Sequence, residues 1–225
     1  MKRGGIIRSC VIFDCDGTLV DTLGDIAAAM NHALAENGFP PVAPLERYRD
    51  MVGWGIVRLA ELALPEGARS QDAVQEVAAC ASGYMYERPA EMSKPYPGIK
   101  ELLAGLKAQK IKTAVLSNKP DSVLRLLMDE LFGPGAFDSV WGLRPGSAAK
   151  PDPSSVWEIV AELGRNPHDA VFAGDSEIDV ETARNAGCYP LGVSWGFRSR
   201  AVLEAAGAAR IIDKPEEIWD LICRQ

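Results

Sequence analysis

The chain has 225 residues, a formal net charge of −7, 47% hydrophobic residues and 24% charged ones. That composition belongs to a folded globular protein with a substantial core and excludes a disordered one. The acidic balance argues against non-specific binding to nucleic acid or to an anionic membrane, although a local cation can still recruit an anionic ligand.

Lys2, Arg3 and Arg8 precede apolar residues, but the apolar run stops at Asp14 and lacks the uninterrupted core of roughly 7–15 residues that a secretory signal needs. No stretch approaches the roughly 20 apolar residues of a membrane span, so a cytoplasmic protein is expected. Val11-Ile12-Phe13 suits a buried parallel strand, which reads as a continuous apolar run. From Leu23 to Leu34 apolar residues recur at helical spacing, and Gly38 supplies a stop. Short helices are predicted over 45–51 and 56–64 on either side of Gly53-Trp54-Gly55, and a longer one after Ser70 with Val74, Val77, Ala81 and Met85 on its apolar face. No strand candidate occurs in this span, so residues 21–92 are expected to form an all-helical unit. Ser93-Lys94-Pro95-Tyr96-Pro97-Gly98 marks a linker.

After the linker the chain alternates. Helices are predicted at 99–106, from Pro120 to Leu131, from Asp152-Pro153 to Leu163, at 178–186 (ended by Gly187), from Ser199 and from Pro215; strands at 113–116, 137–141, 170–173, 190–193 and 210–212. Such alternation implies an α/β fold with a doubly wound parallel sheet and right-handed crossovers. Residues 1–20 and 93–225 are expected to form that core, with the helical unit inserted after the first strand.

In open α/β sheets ligands bind beyond the carboxyl ends of the strands. Asp14, Asp16, Gly17 and Thr18 follow the first strand; Ser117, Asn118 and Lys119 the second; Gly174, Asp175, Ser176 and Asp179 the fourth; Lys150 precedes the helix after the third. Two acids at the end of a buried strand are costly unless a cation sits with them. Acids, a lysine and hydroxyl and amide donors on one edge suit phosphoryl transfer. Asp14 is the candidate nucleophile, its alternative being a strand-end cap. Asp16 is the candidate general acid and base, its alternative an Asx-turn with Gly17. Asp14 and Asp175 would hold a divalent cation with side-chain oxygens, and Asp16 with its backbone carbonyl; oxygen donors favour Mg²⁺. Asp179 would orient Lys150 or a metal-bound water, or else answer the dipole of its helix. Lys150 would neutralise phosphoryl oxygens, and Ser117, Asn118, Gly17 and Thr18 would donate to them. Over the site, Gly53 and Trp54 form a candidate water-excluding loop, and Arg58 (with Arg47 and Arg49) a candidate reader of a substrate carboxylate; an interhelical turn and solvated faces are the plain alternatives. Five cysteines, Cys10, Cys15, Cys80, Cys188 and Cys223, form no CxxC pair, which fits a reducing compartment. Cys15 lies between the two acids as either a reactive thiol or a spacer facing away.

Asp14-Cys15-Asp16-Gly17-Thr18-Leu19-Val20-Asp21-Thr22 resembles the first motif of the haloacid dehalogenase-like superfamily. Ser117-Asn118, Lys150 and Gly174-Asp175-Ser176-Glu177-Ile178-Asp179 resemble its second, third and fourth motifs, in order. Leu116-Ser117-Asn118-Lys119-Pro120 and Gly192-Val193-Ser194-Trp195-Gly196-Phe197 are similar to segments of phosphoglycolate phosphatases within it. The resemblance implies a Mg²⁺-dependent phosphatase with a helical cap, acting on a small phosphorylated metabolite as a monomer or homodimer. A phosphomutase, an inorganic pyrophosphatase and a non-catalytic phosphate-binding regulator are the other readings. The acid at Asp16 favours phosphate chemistry over dehalogenation. No lysine lies between Thr22 and Ser93 to serve a phosphonatase-type Schiff base.

Overall fold

A computed structural model describes residues 8–222; Lys2, Arg3 and Cys223 lie outside them. The first strand, β1 (Cys10–Phe13), is completely buried. Successive side chains of a strand point to opposite faces. Val11 and Phe13 accordingly enter one apolar cluster, with Leu102, Leu106, Leu124 and Leu127, while Cys10 and Ile12 enter another, with Val156, Ile159 and Phe172. Both faces of the strand are covered by helices, which is why its sequence does not alternate.

The chain leaves β1 through a two-residue strand, β2 (Val20–Asp21), and enters α1 (Leu23–Glu36), a 3₁₀ turn at Leu45–Asp50, α2 (Ile56–Ala63) and α3 (Gln71–Glu87). It returns through β3 (Lys94–Pro95), which pairs antiparallel with β2, Val20 opposite Pro95 and Asp21 opposite Lys94. The three helices bury their own cluster, built on Ile26, Met30, Leu34, Leu59, Val77 and Met85. Segment 45–51, expected as a short helix, is a 3₁₀ helix over Leu45–Asp50. It is anchored by Tyr48, whose hydroxyl donates to Asn31 Oδ1 at 2.7 Å. A carboxylate fixes the return: Asp25, in the first turn of α1, accepts from the backbone N–H groups of Met92 and Ser93 at 2.9 and 2.8 Å and from the Ser93 hydroxyl at 2.5 Å.

The remaining elements are α4 (Ile99–Ala108), β4 (Lys112–Pro120), α5 (Asp121–Phe132), β5 (Ser139–Leu143), α6 (Ser154–Glu162), β6 (Ala170–Gly174), α7 (Glu177–Ala186), β7 (Tyr189–Val193), α8 (Arg200–Ala206), β8 (Arg210–Ile212) and α9 (Trp219–Ile222). The sheet has six parallel strands in the order β5-β4-β1-β6-β7-β8. Two expectations shift. Pro120 closes β4 and α5 starts at Asp121, so proline sits one position before the helix. The strand expected at 137–141 runs instead from 139 to 143, because Phe137 turns into the core and packs edge-on against Phe132. No helix among the described residues is long and apolar enough to cross a membrane.

This topology sets the site. β1 lies between β4 and β6, with Phe13 in register with Val115 on one side and Ala173 on the other. Chain direction reverses its winding at β1, so the crevice beyond the carboxyl ends of these three strands is where a ligand is expected.

Candidate active site

Asp14 follows β1, is 7% exposed, and its Oδ1 accepts from Lys150 Nζ at 2.7 Å. The same ammonium reaches Asp179 Oδ1, also at 2.7 Å. Asp179 is delivered by the start of α7, where it forms a reciprocal cap with Ser176: Asp179 Oδ2 accepts from the Ser176 hydroxyl at 2.6 Å and from its N–H at 3.1 Å, and Ser176 Oγ accepts from the Asp179 N–H. Capping leaves the second oxygen free to hold Lys150. One residue therefore starts a helix and orients the lysine.

Asp175, 2% exposed, follows β6. Its oxygens accept from the Thr18 hydroxyl at 2.9 Å and from the Phe197 N–H at 2.7 Å. Gly17 has φ +83°, and a side chain there would collide with the Asp175 carboxylate, so only glycine lets the turn after β1 approach β6. Trp195 Nε1 donates to the Thr18 carbonyl at 3.0 Å and fixes the same turn.

Asp16 has different neighbours. Its Oδ1 accepts from the Thr22 hydroxyl at 2.7 Å and lies 3.0 Å from Lys119 Nζ. Side chains alternate through Asp14-Cys15-Asp16, so Cys15 points the other way, into the apolar cluster below the sheet. Burial, and then the adjacent Asp16, pushes its thiol well above the ordinary range. Its burial and orientation fit the spacer reading.

Electrostatics single out the acid cluster. Asp14, Asp175 and Asp179 each offer a carboxylate oxygen within 4.8 Å of the others. Burial, then the charge of Asp179, holds Asp14 well above the usual carboxylate range and pushes Asp175 up to about 7. Burial opposes the charge on Lys150, but Asp14 and Asp179 outweigh it and raise its pKa; Asp16 does the same for Lys119. With all four acids ionised, four carboxylates beside two ammoniums would leave an excess of two negative charges in a buried space, and burial and that excess raise Asp14 and Asp175. A divalent cation cancels that excess, and oxygen-only donors suit magnesium. The residues fit such an ion: Asp14 and Asp175, the expected side-chain donors, stand together, and Asp179, expected to orient Lys150, does so while bringing an oxygen close to both. Asp16 turns its carboxylate to Lys119, which leaves its backbone carbonyl, the group expected as a ligand, uncommitted among the described residues.

Asn118 links three segments. Its Oδ1 accepts from the Lys150 N–H at 2.8 Å, and its Nδ2 donates to the Lys150 carbonyl at 3.2 Å and to the Gly53 carbonyl at 2.9 Å. Its side-chain amide is thus engaged with backbone, a departure from its expected role as a phosphate donor. Ser117 Oγ accepts from the Lys119 N–H at 3.2 Å.

A cleft of about 40 Å³ is floored by Asp14, Asp16, Ser117, Lys119 and Lys150 and roofed by Ile26, Val52, Gly53, Ile56, Leu59 and Met85. The roof side chains are apolar. Trp54 is 43% exposed and does not line the cleft, contrary to its expected role in excluding water. Arg58 lies outside it as well: α2 turns Ile56 and Leu59 inward, which leaves Arg58 half exposed and paired with Glu61 at 2.5 Å. Of the three expected specificity residues only Gly53 reaches the site. Lys119, Thr22 and Phe197 stand in segments that the sequence marks, but their partners there are set only by the fold. Charge parity was a usable signal for Lys119, since two acids at one strand end need more than one cation.

The family model for haloacid dehalogenase-like hydrolases matches residues 11–193. A phosphoglycolate phosphatase of Pseudomonas putida is 33% identical over 212 residues, covering 93% of this chain and 78% of its own length. One of Caulobacter vibrioides is 37% identical over 204 residues, covering 90% and 85%. Among solved structures, a provisionally named phosphoglycolate phosphatase of Lactobacillus delbrueckii has a TM-score of 0.88 at 32% identity, over 96% of this chain and 98% of that one.

Proposed function

The chain belongs to the haloacid dehalogenase-like hydrolases and is a phosphatase of that family, and we propose that it hydrolyses a small phosphate monoester of the phosphoglycolate type through an aspartyl-phosphate on Asp14, with Mg²⁺ as its metal. One observation carries the reading: Asp14 and Asp16, one residue apart, have opposite surroundings. Asp14 stands with two other acids and Lys150, whereas Asp16 stands with Lys119 and Thr22. Two carboxylates held in different environments can take different roles.

Asp14 attacks phosphorus, forming an acyl–phosphate bond as the bond to the leaving alkoxide breaks. Asp16 gives its proton to that alkoxide, then takes one from water as the water oxygen attacks phosphorus and frees the Asp14 carboxylate. Lys150 offsets charge on the phosphoryl oxygens and keeps Asp14 directed between β1 and β6. Asp14 and Asp175, with the Asp16 carbonyl, would hold a magnesium ion, which would supply further neutralisation of the transferring group. We propose that the helical insertion acts as a cap over this chemistry. Its apolar roof closes over the side of the site where the leaving group would lie.

The test is release of phosphate from phosphoglycolate and from p-nitrophenyl phosphate with and without Mg²⁺. Release from both, abolished by chelation and by Asp14→Asn, is expected. Equal turnover without a divalent ion, or wild-type turnover in Asp14→Asn, would overturn the reading.

A further inference from the structure

Arg198, in the loop between β7 and α8, does not line the cleft, yet only 9% of its side chain is exposed. Its Nε meets Glu177 Oε2 in the first turn of α7 at 3.2 Å. Its two terminal nitrogens cross to the helical insertion: Nη1 donates to the Arg49 carbonyl, and Nη2 to the carbonyls of Val52 at 2.9 Å and Asp50 at 3.4 Å. These carbonyls lie at and just beyond the end of the 3₁₀ turn Leu45–Asp50, where backbone acceptors lack partners within the turn and a cation is favoured. A guanidinium can serve several acceptors in one fixed fork, which an ammonium cannot.

Two further contacts converge on the same place. Asn118 holds the Gly53 carbonyl from the opposite side of the crevice. Phe197, next to Arg198, sends its ring into the apolar cluster of the insertion, while its N–H donates to Asp175. The segment from Arg49 to Gly53, which includes the roof residues Val52 and Gly53, is therefore gripped at both ends by core side chains. One of those grips is adjacent in sequence to a donor on an acid of the cluster.

We infer that Arg198 is a positioning residue for turnover: it seats the 49–53 segment over Asp14, and through Phe197 that seating is tied to the orientation of the Asp175 carboxylate. The kinetic part of this proposal rests on the phosphatase reading; the structural part does not.

The test compares Arg198→Met and Arg198→Lys with the wild-type protein, by hydrogen–deuterium exchange and by steady-state kinetics on phosphoglycolate. Arg198→Met is expected to raise exchange in the peptide spanning 45–59 while β1 and β6 stay protected. It is also expected to lower kcat by about tenfold to a hundredfold, the cost of a misplaced reacting geometry. Added guanidinium should restore part of the loss, and Arg198→Lys should fall between. Unchanged exchange in 45–59, or a kcat within about twofold of wild type, would overturn the proposal. If Arg198→Met melts early, Arg198→Lys carries the same comparisons. Should the wild-type protein release phosphate from no ester, the phosphatase reading fails, and the exchange comparison still decides whether Arg198 seats the roof.

Discussion

Lys150 Nζ stands 2.7 Å from Asp14 Oδ1 across 136 residues of sequence, and the same nitrogen stands 2.7 Å from Asp179. This bridge brings the ends of β1 and α7 to one point and partly cancels the charge that makes the point costly. Removing one partner from a buried pair is more damaging than never having built it, since the remaining charges lose their compensation. Lys150→Met should lower kcat by about 10²–10³-fold, the range for losing one preorganised donor. Lys150→Arg should not restore it, because the larger planar guanidinium does not fit a buried space shaped around an ammonium. Steady-state kinetics with p-nitrophenyl phosphate checks both; an Arg variant as active as wild type would contradict the bridging role.

Divalent ions should stabilise the protein more at alkaline than at acid pH. Asp175 has a folded pKa pushed up to about 7, above its unfolded value, and Asp14 is displaced in the same direction. Such an acid holds its proton more tightly when folded, so the stability it contributes is complete below about pH 4 and is lost as pH rises through about 7. A bound cation opposes that loss. The gain in melting temperature on adding Mg²⁺ should therefore grow between about pH 5 and pH 8. Asp175→Asn should flatten the dependence. A gain independent of pH would contradict the charge-balance account.

Asp25 ties α1 to the returning chain through the N–H groups of Met92 and Ser93 and the Ser93 hydroxyl. Asp25→Ala leaves those donors unpaired in a buried place and should cost roughly 2–4 kcal/mol. Asp25→Asn keeps an acceptor and should cost less. Denaturant midpoints measure both, and an unchanged midpoint in Asp25→Ala would refute the staple.

Alkylation of the native protein should spare Cys10, Cys15 and Cys188 at neutral pH. Burial pushes Cys10 and Cys188 up to about 12 and Cys15 higher than the ordinary thiol range. The attacking thiolate is therefore scarce at all three. Peptide mapping after brief iodoacetamide treatment should find them unmodified; rapid labelling of Cys15 would restore its reading as a reactive group.

Much of this arrangement is legible along the chain. Val11-Ile12-Phe13 running into Asp14 signals a strand buried on both faces with charge at its end, and the alternation after residue 98 signals a parallel sheet. Together these place Asp14, Ser117, Asp175 and Lys150 on one edge before any coordinate is known. Other features leave no local trace. β2 and β3 have two residues each, too few for any periodicity, so their pairing is invisible. Lys119, near the end of β4, is marked only by charge parity, and that does not say which acid it meets until Asp16 is placed opposite. Trp54 lies between two glycines, so nothing in its neighbours decides which way it points, and α2 alone determines that Arg58 faces out. Arg198 has no signature at all, because its acceptors lie 146 to 149 residues earlier and are backbone atoms.

On this mechanism Asp14 carries the phosphoryl group during turnover. Rapid acid quenching during turnover of p-nitrophenyl phosphate with Mg²⁺, followed by peptide mapping, traps that phosphoenzyme. A phosphoryl group on the peptide containing Asp14, absent from Asp14→Asn, is the predicted result. A phosphoryl group on another residue, or full turnover by Asp14→Asn, would contradict it.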